Sequence, residues 1–298
     1  MLRNTRIEKY KRSNGNHTFS ILIPSWNNLP YLKLCIESIR KNSHFSHQLI
    51  VHINEGTDGS KEWIETQQDI DFSFSEKNIG VCYALNLGRT LVDTAYMVYV
   101  NDDMYLCPGW DIVLKKEIGT IGHNNFFLSS TAIEPLASSN CAIEKDYGSD
   151  IHSFREDELL KEFSGLPMHD WQGATWPPNI IHRDTWDLIG GYSTEFTPGM
   201  YSDPDFSMKL WMAGIRLFKG VSSSRAYHFG SKSTKRISKN KGYYTFISKW
   251  GITSSTLTKH ILRRGEPYNG PLKDPSKSQW LKMKNFIKRL DTVIRNNG

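Results

Sequence analysis

At 298 residues, with 38% apolar and 12% aromatic side chains, the chain carries enough hydrophobic material for one large core or two modest ones, which excludes a disordered polypeptide and a small stapled scaffold. Its formal charge of +6 is uneven: residues 140–205 are acid-rich, and Lys and Arg outnumber acids from Lys209 onward, which suits an anionic membrane or polyphosphate as well as nucleic acid. Four scattered cysteines without a Cys-x-x-Cys pair, a polar basic start and no run of about 18 apolar residues argue against a zinc site, a disulfide framework, a signal peptide and a membrane span, so the expected setting is the cytoplasm or the cytoplasmic face of a membrane.

In chain order, Met1 to residue 18 reads as a polar tail. Phe19-Ser20-Ile21-Leu22-Ile23-Pro24 is a β-branched run ended by proline, and the polar loop Ser25-Trp26-Asn27-Asn28 follows it. A helix is predicted from about Pro30, with Leu32, Leu34, Cys35, Ile36 and Ile39 as its buried stripe. Gln48 to Ile53 is the next strand. It closes on Glu55-Gly56-Thr57-Asp58-Gly59-Ser60, a turn into a helix near Trp63. Phe72 to Ser75 is a third strand, and Asn78-Ile79-Gly80 opens a helix through Ala84, Leu85, Leu87 and Leu91. The run Tyr96 to Val100 then stops at Asn101-Asp102-Asp103. Alternation of this kind predicts an α/β fold, with a mostly parallel central sheet and helices on both faces.

Two acids at the carboxyl end of a buried parallel strand lie where open α/β sheets bind ligands. They suit a hard divalent cation, Mn²⁺ or Mg²⁺, held against a diphosphate, although an isolated Asp-Asp pair is also an ordinary helix-capping turn. Ser202-Asp203-Pro204-Asp205, ahead of the apolar stretch Phe206 to Met212, poses the same choice between catalysis and capping. Trp171 and Trp176 offer indole faces to a ligand or fill a core.

Taken together, Ile21 to Asn27, Glu55 to Ser60, Asn78-Ile79-Gly80 with Ala84, Asn86 and Gly88, Asn101-Asp102-Asp103, Gly190-Gly191-Tyr192 and Ser202 to Phe206 resemble the family 2 glycosyltransferases of the GT-A fold. The likeness spans roughly Phe19 to Ser233 and rests on the order and spacing of motifs that are individually weak. It implies transfer of a hexosyl or N-acetylhexosaminyl group from a nucleotide-diphospho-sugar to a glycan or glycolipid hydroxyl, with inversion. Pro24, Ser25, Asn27, Glu55, Asp58, Asn78, Gly80, Asn101 and Asp102 would then bind the donor. Glu55 stands where the family commonly has Asp, which leaves the base open. Asn101 replaces the first acid of the Asp-x-Asp metal motif, so Asp103 is the expected ligand, with His228 as a second. Asp203 would be the catalytic base, and Trp171, Trp176 and Asp205 would face the acceptor, Asp205 also capping its helix.

Residues 122–168 show little periodicity and read as loops and insertions near the acceptor, including a lid. Arg216 to Gly220 is a predicted strand before Ala226 to Ser231, and Lys232, Lys235 and Arg236 could neutralise a diphosphate. The transferase domain is expected over 19–235, divided at 121, and a basic, mainly helical extension over 236–298. In that extension Gly265 to Pro275 reads as a linker, and Trp280, Leu281, Met283, Phe286, Ile287, Leu290, Val293 and Ile294 share a helical face opposite Lys277, Lys282, Lys284, Lys288 and Arg295. Such a helix can dock on its own domain, pair with a second copy or lie on an anionic membrane. A nucleotidyltransferase would need a Gly-rich basic signature after the first strand, which Pro24-Ser25-Trp26-Asn27-Asn28 lacks. A nucleic-acid module would not need the paired acids.

Overall fold

In the first half of the chain, β-branched and aromatic runs bounded by polar turns alternate with amphipathic stretches and form strands and helices in turn. The computed structural model describes residues 5–137, 139–230, 241–276 and 278–296. Lys232, Lys235, Arg236 and Lys277 lie outside the described residues. In chain order the elements are β1 (Ile7–Tyr10), β2 (Ser20–Trp26), α1 (Leu29–Asn42), β3 (Gln48–Asn54), α2 (Ser60–Thr66), β4 (Ile70–Ser75), α3 (Gly80–Arg89), β5 (Tyr96–Tyr99), β6 (Met104–Leu106) and α4 (Trp110–Ile121). The second half adds β7 (Phe126–Glu134), β8 (Ala142–Glu144), α5 (Glu156–Glu162), β9 (Trp171–Gln172), β10 (Asn179–His182), α6 (Arg183–Leu188), α7 (Ser202–Met212), β11 (Leu217–His228), α8 (Gly242–Trp250), α9 (Ser254–Thr256), which continues as a π-turn, and α10 (Gln279–Asn296).

One sheet runs β1-β4-β3-β2-β5-β10-β7-β11-β6, with β8 added to β7 and β9 to β11. The neighbours β4, β3, β2 and β5 are mutually parallel. β10 is antiparallel to both β5 and β7, and β11 is parallel to β7, so β2, β5, β7 and β11 all point the same way. Their carboxyl ends therefore share one edge. Side chains alternate across the sheet. Ile21, Ile23, Val51 and Val98 pack beneath α1, α2 and α4 through Ile36, Ile64 and Leu114, whereas Leu22, Ile50 and Met97 meet Leu85, Phe206 and Leu210 on the other face. Each large side chain so buried contributes about 1.5–3 kcal/mol.

The structure departs from the sequence reading in four places. β2 continues beyond Pro24 to Trp26, because its pairing with β5 ends at Leu22↔Tyr99 and the missing proline N–H faces a side with no strand left to bond. The expected N-terminal tail contains β1, an edge strand antiparallel to β4, and Asp71 accepts from the Arg12 and Ser13 amides at 2.5 and 2.7 Å. The stretch 122–168, expected as loops, contains β7, a nine-residue strand inside the sheet. β11 is also longer than expected and reaches His228.

The C-terminal stretch is no separate appendage. The Gln172 amide donates to Glu266 O at 2.8 Å and the Leu272 amide to Arg216 O at 2.8 Å, which stitches the expected linker to the end of the sheet. α10 packs on α8 and α9 through its polar face: Asn285 and Thr292 are buried, and Asn285 Oδ1 accepts from Thr256 Oγ1 at 3.0 Å.

Candidate active site

Because β2, β5, β7 and β11 end on one edge, Pro24–Trp26, Asn101–Asp103, Ser130, Ala132, Glu134 and His228 surround a single cleft of about 750 Å³. Its other wall is made by Asn78, Gly80 and Val81 before and at the start of α3, by Pro198–Pro204 at the start of α7, and by Ser254, Thr258, Lys259 and Arg264. The topology alone thus gathers residues separated by up to 240 positions in sequence.

On the strand side, Ser25 Oγ donates to Asp102 Oδ2 at 2.7 Å. Antiparallel pairing of β6 with β11 sets His228 opposite Met104, and the Phe229 amide donates to Asp103 O at 3.2 Å. That register brings His228 Nε2 to 3.4 Å from Asp103 Oδ1, while Nδ1 meets Glu134 Oε1 at 2.7 Å. Burial by itself would lower the imidazole pKa, but the flanking carboxylates of Asp103 and Glu134 raise it to about 10.

On the opposite wall stands Asp203, in the first turn of α7. Burial raises its carboxyl pKa to about 7, against a lowering hydrogen bond from Tyr192 Oη at 3.2 Å. Tyr192 is itself held by Asn86, whose Oδ1 accepts from the Tyr192 amide at 2.9 Å and whose Nδ2 donates to Tyr192 O at 2.8 Å. The turn that delivers it needs glycine: Gly191 has φ +61°, and a Cβ there would fall 2.4 Å from Asn86 Oδ1. Gly80 is constrained in the same way, since with φ +76° a Cβ would lie 2.7 Å from Pro198 Cα. Asn78 Oδ1 accepts from the Gly80 amide at 2.8 Å and so forms the start of α3.

Pro24, Ser25, Asn78, Gly80, Asn101, Asp102, Asp103, Trp171, Trp176, Asp203 and His228 thus line one cleft. Four expected residues do not. Asn27 and Glu55 face each other just outside: Glu55 Oε2 accepts from Trp26 Nε1 at 2.8 Å and from Asn27 Nδ2 at 3.2 Å, which braces the loop behind the lining. Asp58 accepts from the Leu29 and Ser60 amides at 2.7 and 3.1 Å, so it ties the starts of α1 and α2. Asp205 is neither an acceptor contact nor a cap. α7 already begins at Ser202, and the fully buried Asp205 carboxylate accepts from Trp250 Nε1 at 2.8 Å and pairs with Lys249 at 2.9 Å. Trp171 touches the cleft, yet it is 1% exposed and packs over Gly220, with its indole N–H donating to Thr131 Oγ1 at 2.9 Å. It is a core residue rather than a stacking wall. Trp176 is half-buried, and the Arg264 guanidinium lies 3.8 Å from its ring centroid.

Three further residues escaped the sequence reading. Glu134 ends β7, where Ala132-Ile133-Glu134-Pro135 repeats the apolar-then-proline signature of β2. Tyr192 was visible only as part of a glycine turn. Arg264 sat within a presumed linker.

Among the described residues, no group of three or more His, Cys, Asp or Glu side chains could hold a metal by itself. The pair Asp103 and His228 nevertheless fits a shared divalent cation. One oxygen and one nitrogen donor face each other, and Glu134 fixes the imidazole as an outer partner. The remaining positions would fall to substrate phosphates and water.

Residues 20–135 match the sequence model described as Glycosyl transferase family 2. Among solved structures, S. aureus TarS 1-349 is similar with a TM-score of 0.57 at 12% identity, over 93% of this chain and 72% of that one. TarS 1-349 in complex with UDP-GlcNAc gives 0.56 at 12%, over 93% and 73%. GalNAc-T7 with UDP, GalNAc and Mn²⁺ gives 0.56 at 14%, over 94% of this chain and 57% of that one. No curated protein sequence matches. Sheet order and these likenesses show the GT-A fold. The family 2 match covers residues 20–135, the part of the chain that runs from β2 to the end of β7 and carries Asn101–Asp103.

Proposed function

We propose that this chain transfers a sugar, hexosyl or N-acetylhexosaminyl, from a nucleotide-diphospho-sugar to a hydroxyl of a glycan or glycolipid, with inversion at the anomeric carbon. The observation that carries this reading is the gathering into one cleft of Asp103, beside His228, and of Asp203, whose carboxyl pKa is raised to about 7. A divalent cation held by Asp103 and His228 would offset charge on the departing diphosphate. Asp102, which is buried and accepts from Ser25 Oγ, takes a hydroxyl of the donor in this reading. Asp203 accepts the proton of the attacking hydroxyl, and a pKa near neutrality suits a group that must be ionised before the step and hold a proton after it. Arg264, stacked on Trp176, has no carboxylate ion pair among the described residues and supplies positive charge to the cleft. The bound UDP of the TarS and GalNAc-T7 structures makes UDP-sugars the first donors to try.

The test separates holding from reacting. Asp103→Asn should lose the Mn²⁺-dependent thermal shift given by a nucleoside diphosphate, UDP, GDP or dTDP, without loss of fold. Asp203→Asn should keep that shift and lose turnover on the order of a hundredfold or more, the scale of a missing general base. Product that retains the donor's anomeric configuration would sink the single-base scheme.

A further inference from the structure

The C-terminal helix docks with the wrong face for a helix whose purpose is to complete a core. Asn285 and Thr292 are 8% and 1% exposed against α8 and α9, whereas Trp280 is 59%, Met283 58%, Phe286 58%, Ile287 55%, Leu290 49%, Val293 57% and Ile294 73% exposed. At 100° per residue those seven side chains span one continuous arc directly opposite the docked stripe. An exposed apolar patch of this kind marks an interaction surface, because leaving it in water sacrifices the free energy of burial.

What covers it can be argued from charge. Lys282 and Arg289, both exposed, border one edge of the arc, and Lys284 borders the other with its ammonium 5.2 Å from the Trp280 ring centroid. Asp291 is the helix's one acid against Lys282, Lys284, Lys288, Arg289 and Arg295 in its sequence. Pairing of this face with a second copy would bring those cations against each other. A negatively charged lipid surface instead meets them with phosphate while its acyl region receives the apolar arc. Neither α10 nor any other helix of the described residues is long and apolar enough to cross a membrane. We infer that α10 is an interfacial anchor that lies flat on an anionic lipid surface, with its polar face fastened to the protein and its apolar face in the lipid. The inference rests on α10 alone and stands or falls independently of the transferase chemistry.

The full-length protein should co-float with vesicles of phosphatidylcholine containing about a third phosphatidylglycerol, at least about tenfold more than with phosphatidylcholine alone, and high salt should release it. Two variants at exposed positions leave the fold intact: Ile287→Glu should abolish flotation through the apolar arc, and Lys282→Glu with Arg289→Glu should abolish the preference for anionic lipid. Unchanged thermal unfolding of each variant confirms that only the surface was altered. Equal flotation with neutral and anionic vesicles, or none with either at low salt, overturns the inference. So does a soluble parent dimer that Ile287→Glu converts to monomer.

Discussion

Asp203 is a buried carboxyl whose titration ties the stability of the fold to pH. In the unfolded chain its carboxyl titrates near 3.8, and in the cleft burial holds it at about 7. Below the lower value both states keep the proton and the site costs nothing. As pH rises toward 7 the unfolded chain releases its proton first, so the folded state loses relative stability until the loss is complete above 7. Ionisation in this environment costs the fold on the order of 4 kcal/mol at pH 8. Asp203→Asn is therefore expected to raise the urea midpoint at pH 8 and to match the parent near pH 4, while parent turnover falls as pH drops below about 7. Equal midpoints at pH 8 would remove the physical basis for a base tuned to neutrality.

At the scale of elements, the glycine turn between α6 and α7 shows how local geometry reaches the chemistry. Gly190 and Gly191 both have positive φ, 72° and 61°, but only Gly191 faces neighbours a Cβ would strike, Asn86 Oδ1 at 2.4 Å and Trp186 Nε1 at 2.7 Å. Gly190→Ala should cost on the order of 1 kcal/mol, the strain of the left-handed conformation alone. Gly191→Ala should cost more, roughly 2–3 kcal/mol, and should also lower turnover, since the displaced Tyr192 supports Asp203. Urea unfolding of both variants checks the order, and equal losses would show that the Asn86 contact carries no constraint. The same scale explains which elements were legible. β2, α1, β3 and α3 announce themselves by period, with Pro24, Pro30 and Gly80 as punctuation. β7 did not, because Ser129-Ser130-Thr131 interrupts its apolar run; those side chains are buried through hydrogen bonds, Ser130 Oγ with Ser224 Oγ at 2.7 Å and Thr131 Oγ1 to Val221 O at 3.1 Å. β10 has only four residues and follows Pro177-Pro178.

For the whole molecule, the cleft is completed from both ends of the chain, and this fixes where the chain can be shortened. Lys259 and Arg264 line the cleft and Leu272 is bonded to the sheet end. Truncation after Ser276 should keep the nucleoside diphosphate shift, with stability reduced by the loss of the Asn285 and Thr292 contacts. Truncation at residue 236, where the sequence reading ended the transferase domain, should abolish it. A 236 product that still binds would show the last segment to be dispensable. The sequence by itself determined the parallel α/β half, the two acid pairs and their order, since strand and helix periods, proline stops and glycine turns are local properties that neighbouring residues impose on one another. Only the tertiary structure decided that Glu134 orients His228 and that Asp205 belongs to Lys249 rather than to the cleft. It also turned the apolar face of α10 outward. Each of these depends on which distant surfaces meet, and two helix faces of equal amphipathic pattern look alike until a partner packs against one of them.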